Sequence, residues 1–154
     1  MIPSMVDEFR DPETGTRLCL GDYTEEGGRV KNGELSVKDA DQVWPITDFI
    51  PRFVASDEYT GSFGYQWNVH QKTQLDSFNG ATYSRDRLYA TAGWDANVDF
   101  TGQRVLEAGA GAGRFTEILL QTGADVFSFD LSAAIEANAR NNARNGATIF
   151  QASI

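Results

Sequence analysis

The sequence is poor in the residues that build metal sites and disulfides. Cys19 is the only cysteine among 154 residues, and His70 is the only histidine. A single cysteine cannot form a disulfide within the chain, and alone it cannot supply the thiolates of a structural zinc site. His70 has no acidic or thiol partner at ligand spacing, so its pattern favours a polar residue over a metal ligand. We therefore predict no bound metal.

Long apolar runs are also missing. No stretch approaches the about 20 apolar residues that a transmembrane helix needs. The first eight residues lack the basic segment and apolar core of a secretory signal. Together with the unpaired cysteine, these absences predict a cytoplasmic protein with no membrane partner.

Positive charge is scarce as well. The formal net charge is −9, and residues 1–60 carry most of it, with thirteen acidic against six basic residues. Such a balance repels a phosphate backbone, so we expect no direct binding of nucleic acid. The acidic surface is typical of a solubility feature.

Residues 1–56 show little helical periodicity and predict a small all-β module. Residues 17–20 form one expected strand, Gly27-Gly28 is an expected turn, and Asn32-Gly33 is the strongest hairpin signal in the chain. Residues 43–46 predict a further strand, which Pro45 restricts to an edge or an end. We expect so small a module to need packing against its neighbour.

Residues 57–100 predict a helical bridge. A first helix, continuous or broken, is expected over residues 65–78, with Phe63 and Trp67 as packing residues. A second helix is expected to have Ser84 as its N-cap and to end at Gly93.

Residues 101–154 alternate between strand and helix patterns. Strands are expected at residues 104–108, 125–130 and from 148 onward, with helices ending at Gly123 and Gly146 between them. Ser132 is the expected cap of the second of these helices, over residues 133–145. This order predicts a parallel sheet.

Glycines at alternate positions separate the first of these strands from its helix. Glycine tolerates positive φ and lets the backbone approach a ligand closely, so a turn at this place predicts a nucleotide site. Asp130 ends the next strand, seventeen residues beyond Gly113, where a carboxylate typically binds ribose hydroxyls. Arg114 stands where a dinucleotide fingerprint needs glycine, and the lysine of a P-loop is absent.

The stretch EAGAGAG at residues 107–113 resembles the first motif of class I S-adenosylmethionine-dependent methyltransferases. Residues 115–117 and 130–132 strengthen a resemblance that spans residues 61–154. It implies S-adenosylmethionine as cofactor, with the glycine turn against its methionine part and the acid of the second strand on its ribose. It also implies an acid near the adenine, where this chain has a serine. The implied cofactor-binding residues are Glu107, Gly109, Gly111, Gly113, Asp130 and Ser153.

Residues 44–54 resemble the close of a short zinc-ribbon-like module that often precedes or partners methyltransferases. Residues 11–18 resemble its opening, except that Asp11 replaces a cysteine and no cysteine pair follows. The resemblance therefore implies a version of the module without zinc. The overall expected fold is α/β: an incomplete doubly wound, Rossmann-like parallel sheet preceded by this β module and the helical bridge.

These patterns predict part of a methyltransferase acting on an unidentified acceptor, with no catalytic residue visible. The family's sheet has seven strands and this sequence reaches the third. We therefore expect residues 1–154 to lack activity, to bind the cofactor poorly and to self-associate through an exposed sheet edge. Two alternatives remain open: a non-catalytic cofactor-binding or partner-activating protein, and an NAD-dependent oxidoreductase, which Arg114 disfavours.

Overall fold

The computed structural model of the protein describes residues 1–54 and 72–154. Short 3-10 helices lie at Pro3–Glu8 and Ala143–Asn145. The strands are β1 (Leu18–Glu26), β2 (Arg29–Val37), β3 (Val43–Thr47), β4 (Ile50–Pro51), β5 (Arg104–Ala108), β6 (Asp125–Asp130) and β7 (Thr148–Gln151). The helices are α1 (Asp76–Asn79), α2 (Tyr83–Ala92), α3 (Arg114–Gln121) and α4 (Ala134–Asn142). None of the helices in these ranges is long and apolar enough to cross a bilayer.

Strands β1 to β4 form an antiparallel sheet in chain order, as expected for a small β meander. The hairpin predicted at Asn32-Gly33 is wrong, because both residues lie inside β2. The turn predicted at Gly27 and Gly28 is confirmed, with φ angles of +59° and +75°. These two glycines adopt the positive φ that a tight β1–β2 turn demands.

Gly33 serves a different purpose from the turn that its sequence suggests. It pairs with Tyr23 where the β1–β2 register shifts. A Cβ at position 33 would lie 2.7 Å from the Tyr23 Cβ, closer than real side chains approach. The missing side chain therefore permits close contact between β1 and β2 at an irregular point of the ladder.

Strand β3 extends the predicted 43–46 segment by one residue and holds Pro45 at its centre. The prediction of an edge or end position is wrong, because β2 and β4 flank β3. Pro45 is tolerated because β4 pairs only with Ile46 and Thr47. Next to the β3–β4 pairing, the Pro45 carbonyl accepts a hydrogen bond from the Arg52 amide at 2.8 Å. No hydrogen bond of the sheet therefore needs an amide donor at position 45.

Asp11 stands where the resemblance puts a cysteine, and its side chain organises the start of the β module. The carboxylate is 2% exposed and accepts a 2.9 Å hydrogen bond from Trp44 Nε1. It also accepts bonds from the Thr14 amide and hydroxyl, and the hydroxyl bond is the main reason why the Asp11 pKa is lowered. Hydrogen bonds thus fix this turn. In residues 1–54 and 72–154, no group of three or more potential ligands could hold a metal ion.

The bridge contains α1 and α2, which are joined by an unexpected cap. The predicted N-cap, Ser84, lies within the first turn of α2. The buried Asp76 carboxylate accepts hydrogen bonds from the amides of Ser84 and Arg85, at 3.0 and 2.9 Å. An acid at the start of α1 therefore satisfies the free donors of α2. Residues 65–71 of the helix expected over residues 65–78, including Trp67 and His70, lie outside the described residues, as does Phe63. In the other half only α1 is helical.

Strands β5, β6 and β7 form a three-stranded parallel sheet in that order, which confirms the predicted alternation of strands and helices. Gly93, Gly123 and Gly146 follow their helices with positive φ, as predicted. Helix α4 begins one residue later than expected, with Ala133 at its cap position. Ser132 still contributes, because its hydroxyl accepts a hydrogen bond from the Ala134 amide at 3.3 Å.

The antiparallel module packs against the outer edge of this parallel sheet. Arg52 forms a parallel bridge with Gln151, and the Phe53 amide donates to the Gln151 carbonyl at 2.8 Å. The Phe150 ring lies 5.4 Å from the Phe9 ring and 6.1 Å from the Phe53 ring, centroid to centroid. Aromatic packing of this kind joins the core of the β module to β7, which is the support that the sequence predicted the module would need.

Candidate functional site

The glycine turn lies between β5 and α3, at the carboxyl edge of the parallel sheet. Gly109, Gly111 and Gly113 have φ angles of +74°, +54° and +89°. Residues with a side chain rarely adopt these backbone angles, so all three positions favour glycine. The carboxyl edge of parallel strands is where open α/β sheets bind ligands.

The three glycines face different surroundings. A Cβ at Gly109 or Gly111 would point into open space. A Cβ at Gly113 would clash with the side-chain amides of Asn138 and Asn142. Gly109 and Gly111 therefore leave room on the open side of the turn, whereas Gly113 lets the turn pack against α4.

The structure brings Asp130 against this turn, at the end of β6. Its Oδ2 atom accepts a 2.7 Å hydrogen bond from the Gly111 amide. Its Oδ1 atom accepts bonds from the Ser132 amide and hydroxyl, both at 2.7 Å. The side chain is half-buried. Each carboxylate oxygen has more than one acceptor direction, so Asp130 keeps capacity for a ligand hydroxyl.

Most of the backbone donors in the turn are already used within the protein. The amides of Gly109 and Ala110 both donate to the Phe129 carbonyl at 3.0 Å. The Gly111 amide donates to Asp130, and the Gly113 amide donates to the Ala110 carbonyl. Four of the five amides from position 109 to 113 are thus engaged, and the turn does not present the array of free donors that cradles a phosphate.

Glu107 lies on β5 below the turn, and its carboxylate is turned inward. Its Oε2 atom accepts hydrogen bonds from the hydroxyls of Thr116 and Ser128. Burial raises the pKa of Glu107 above its usual value, and the nearby charge of Asp130 adds to that effect. The two hydroxyl bonds oppose the shift.

A buried set of amide side chains completes the support of the turn. Asn138 Nδ2 donates to the hydroxyl oxygens of Thr116 and Ser128, at 3.0 and 2.9 Å. Asn142 Nδ2 donates to the Gly113 carbonyl and to Asn138 Oδ1, both at 2.9 Å. Sequence reasoning missed these residues. Their signal was two asparagines four positions apart, which share one helix face.

Ser153 follows β7 and is exposed. The preceding Ala152 amide donates to the Asp130 carbonyl at 3.3 Å, which places this segment beside the end of β6. The Ser153 hydroxyl contacts the Ile154 carbonyl at 3.4 Å. Ser153 therefore lies at the same edge of the sheet as Asp130, with its hydroxyl directed at the neighbouring backbone.

A cleft of about 290 Å³ lies on the open side of the turn. Gln74 from the bridge lines it together with residues 109–112. Arg114 and Phe115 complete the lining, and the Arg114 guanidinium lies 4.4 Å from the Phe115 ring centroid. The volume is at the lower end of the range for small-molecule sites.

No protein-family model and no curated protein matches the chain. The description of the site therefore rests on its geometry alone. In this mixed α/β protein a glycine turn lies at the carboxyl ends of a parallel sheet, with a carboxylate beside it and a small cleft on its open side.

Proposed function

We propose that the chain is the cofactor-binding part of a class I S-adenosylmethionine-dependent methyltransferase. The observation that carries the proposal is the pairing of Gly111 with Asp130 at the carboxyl ends of β5 and β6. It joins a turn that is open to a ligand with a carboxylate that is able to accept ribose hydroxyls. The Rossmann-like character of the parallel sheet belongs to the same proposal.

The engaged amides of the turn support this cofactor over a dinucleotide. NAD presents a pyrophosphate, which needs free backbone donors at the start of the helix. Here the amides of Gly109, Gly111 and Gly113 donate within the protein. S-adenosylmethionine carries no phosphate and needs none of these donors. Arg114 in place of the third fingerprint glycine agrees with this preference.

Each predicted site residue has a role in this proposal. Asp130 holds the ribose, and the open faces of Gly109 and Gly111 admit the methionine part. Glu107 fixes the underside of the turn through Thr116 and Ser128. The bound cofactor supplies a methyl group on a sulfonium, and the chain's contribution is to hold that methyl in line with an acceptor.

Two of the predicted residues act less directly. Gly113 allows the turn to pack on Asn138, so it supports the cofactor site through packing. Ser153 lies at the sheet edge where the adenine is expected, and a rotation of its hydroxyl would let it accept a hydrogen bond. That bond would be weaker than one to a carboxylate.

For the β module we propose a zinc-ribbon-like fold that has lost its metal. Asp11 occupies the position of a ligand cysteine, and its bonds to Trp44 and Thr14 hold the turn that a metal would otherwise fix. We also propose a cytoplasmic location, in keeping with the unpaired and exposed Cys19.

A second candidate is a non-catalytic cofactor-binding or partner-activating protein. The observation in its favour is β5, which pairs only with β6 among the described residues and exposes 65% of Leu106. A complementary chain that supplies strands alongside β5 would produce such an edge. Isolation of the protein from its source with a stoichiometric second chain would favour this candidate.

Amide chemical shifts provide the direct test of the proposed cofactor, because they detect weak binding. Addition of S-adenosylmethionine to residues 1–154 should shift the amides of Gly109, Gly111 and Ser132, whereas NAD should not. Asp130→Ala should weaken the binding that these shifts report by roughly tenfold to a hundredfold, and Asp125→Ala, at the opposite end of β6, is the matched control. Equal responses to both cofactors, or an affinity unchanged by Asp130→Ala, would contradict the proposal.

A further inference from the structure

A second and larger cavity lies away from the glycine turn, between the β module and the outer face of α4. Its volume is about 700 Å³, within the usual range of small-molecule sites. One wall comes from the β1–β2 hairpin and the segment before β4, and the other from α4 and the 3-10 turn that follows it. None of the residues that line the glycine cleft lines this cavity.

The sign of the charge reverses in this cavity. The whole chain has 22 acidic and 13 basic residues, but the cavity lining has four basic residues against three acidic ones. The basic ones are Arg29, Lys31, Arg140 and Arg144. In a chain that is acidic overall, this local excess marks a place that attracts anions.

Two of the acidic residues are already neutralised by neighbours. Glu26 forms a 2.7 Å ion pair with Lys31, and Glu136 lies 3.4 Å from the Arg52 guanidinium. The third, Asp48, acts on the charge of Lys31. The cavity acids thus act mainly on Lys31 and Arg52, and the charges of Glu26 and Arg144 also interact. The arginine side of the cavity holds Arg29, Arg140 and Arg144.

Arg29 and Arg144 form the core of that side. Arg29 is half-buried and lies over the Phe49 ring, 5.1 Å from its centroid. Burial lowers the Arg29 pKa, and the positive charge of Arg144 lowers it further. In residues 1–54 and 72–154 neither guanidinium lies within ion-pair distance of a carboxylate. A bound anion would lower the repulsion between these two guanidinium groups, neither of which has an ion-pair partner in the described residues.

We propose that this cavity binds a small phosphomonoester, with its phosphate between Arg29 and Arg144. Guanidinium groups bind phosphate through paired hydrogen bonds, which makes arginine the usual residue for this task. The rest of the ligand would lie against the apolar part of the lining, where Phe49, Ile50 and Ala139 contribute. The volume exceeds what a phosphate ion alone fills, so an organic group should add affinity.

The experiment uses phenyl phosphate, inorganic phosphate and benzyl alcohol as probes of residues 1–154, by calorimetry at low salt. The three probes separate the contributions of charge and of apolar contact. Phenyl phosphate should bind at least about fivefold more tightly than inorganic phosphate, and benzyl alcohol should not bind measurably. Raising the salt concentration should weaken both phosphate probes, because exposed charges are screened.

Variants locate the site. Arg144→Gln changes an exposed side chain, so the fold should survive, and it should weaken phenyl phosphate about fivefold or more. Arg29→Gln together with Arg144→Gln should remove binding, with circular dichroism used to check the fold. Arg85→Gln is the control, because Arg85 is an exposed arginine on α2 that pairs with Asp86. It removes the same charge and should leave binding within about twofold.

Three results would overturn the proposal. The first is absence of binding by both phosphate probes at low salt. The second is equal weakening by Arg144→Gln and Arg85→Gln, which would indicate a general charge effect. The third is a change in the amide chemical shifts of Gly109 and Gly111, and not of Phe49 and Ala139, when phenyl phosphate is added. The outcome is independent of the proposed cofactor, because S-adenosylmethionine should neither compete with phenyl phosphate nor need the two arginines.

Discussion

Replacement of Gly113 by alanine tests the distinction between the glycines of the turn. All three glycines have positive φ, so alanine at any of them strains the backbone. Only at position 113 would the new methyl group meet other atoms, those of the Asn138 and Asn142 side chains. The comparison therefore separates backbone strain from loss of packing against α4.

The magnitudes follow from these surroundings. Left-handed backbone costs an alanine about 1–2 kcal/mol, which is the whole expected loss for Gly109→Ala. At Gly113 the overpacking of a close contact adds about 1–3 kcal/mol. The clash also displaces Asn142 from the Gly113 carbonyl, and a buried amide that loses its partner costs about 1–3 kcal/mol more. Gly113→Ala should therefore lose roughly 3–8 kcal/mol of unfolding free energy, a large share of a typical domain's stability.

Urea unfolding followed by circular dichroism measures these losses in residues 1–154. Gly109→Ala and Gly111→Ala are matched controls, because they have the same mutation, the same turn and open space around the Cβ. A difference below about 0.5 kcal/mol between Gly113→Ala and Gly109→Ala would refute the reasoning. It would mean that α4 moves away from the turn at little cost and that the asparagine network does not hold it.

Three further predictions concern other parts of the molecule. Because burial raises the Glu107 pKa, Glu107 holds its proton more tightly in the folded state than in the unfolded chain. The free energy of unfolding should therefore fall as pH rises from the ordinary glutamate pKa through the raised pKa of folded Glu107. Glu107→Gln, whose carbonyl can still accept both hydroxyl bonds, should remove this fall in urea unfolding measured from about pH 4 to about pH 8. Elemental analysis of protein dialysed against a chelator should show no stoichiometric zinc, and retained zinc would contradict the metal-free module. Residues 1–154 should self-associate in size-exclusion chromatography and bind S-adenosylmethionine poorly in calorimetry, whereas a clean monomer with micromolar affinity would show that the three-stranded sheet is self-sufficient.

The glycines made the parallel sheet predictable. Gly123 and Gly146 end helices where only positive φ allows the chain to turn, and such punctuation is visible in the sequence. The placement of Asp130 was predictable for a related reason. Parallel strands joined by helices bring their carboxyl ends to one edge, so the end of β6 had to lie beside the turn that ends β5.

The errors arose where distant residues decide the structure. Asn32-Gly33 carries the stronger local turn signal, but the pairing of Gly33 with Tyr23 places it inside β2, and only Gly27-Gly28 forms a turn. That contact depends on the β1–β2 register, which no single turn signal fixes. Ser84 has the chemistry of a cap, but the helix already begins at Tyr83, and the Asp76 carboxylate accepts hydrogen bonds from the amides of Ser84 and Arg85 in its first turn.

The asparagine network shows a further limit. Asparagine is unfavourable inside a helix, so Asn138 and Asn142 have the appearance of surface residues of α4. Both are buried because hydroxyl, carbonyl and amide partners from the turn, α3 and β6 satisfy them. The pattern of one chain segment cannot reveal those partners, so the sequence could place the glycine turn and Asp130 without indicating which buried side chains support them.

The two edges of the parallel sheet differ in a way that constrains any larger assembly. Beside β7, Arg52 and Phe53 pair with Gln151, and the aromatic core of the β module covers that side. Beside β5, the described residues provide no strand, and Leu106 exposes 65% of its surface. In the described part of the chain, the free edge of β5 is therefore the side of the sheet where further strands could pair, whether from this protein or from another. Since the glycine turn begins where β5 ends, strands added beside β5 would lie next to the turn that lines the 290 Å³ cleft.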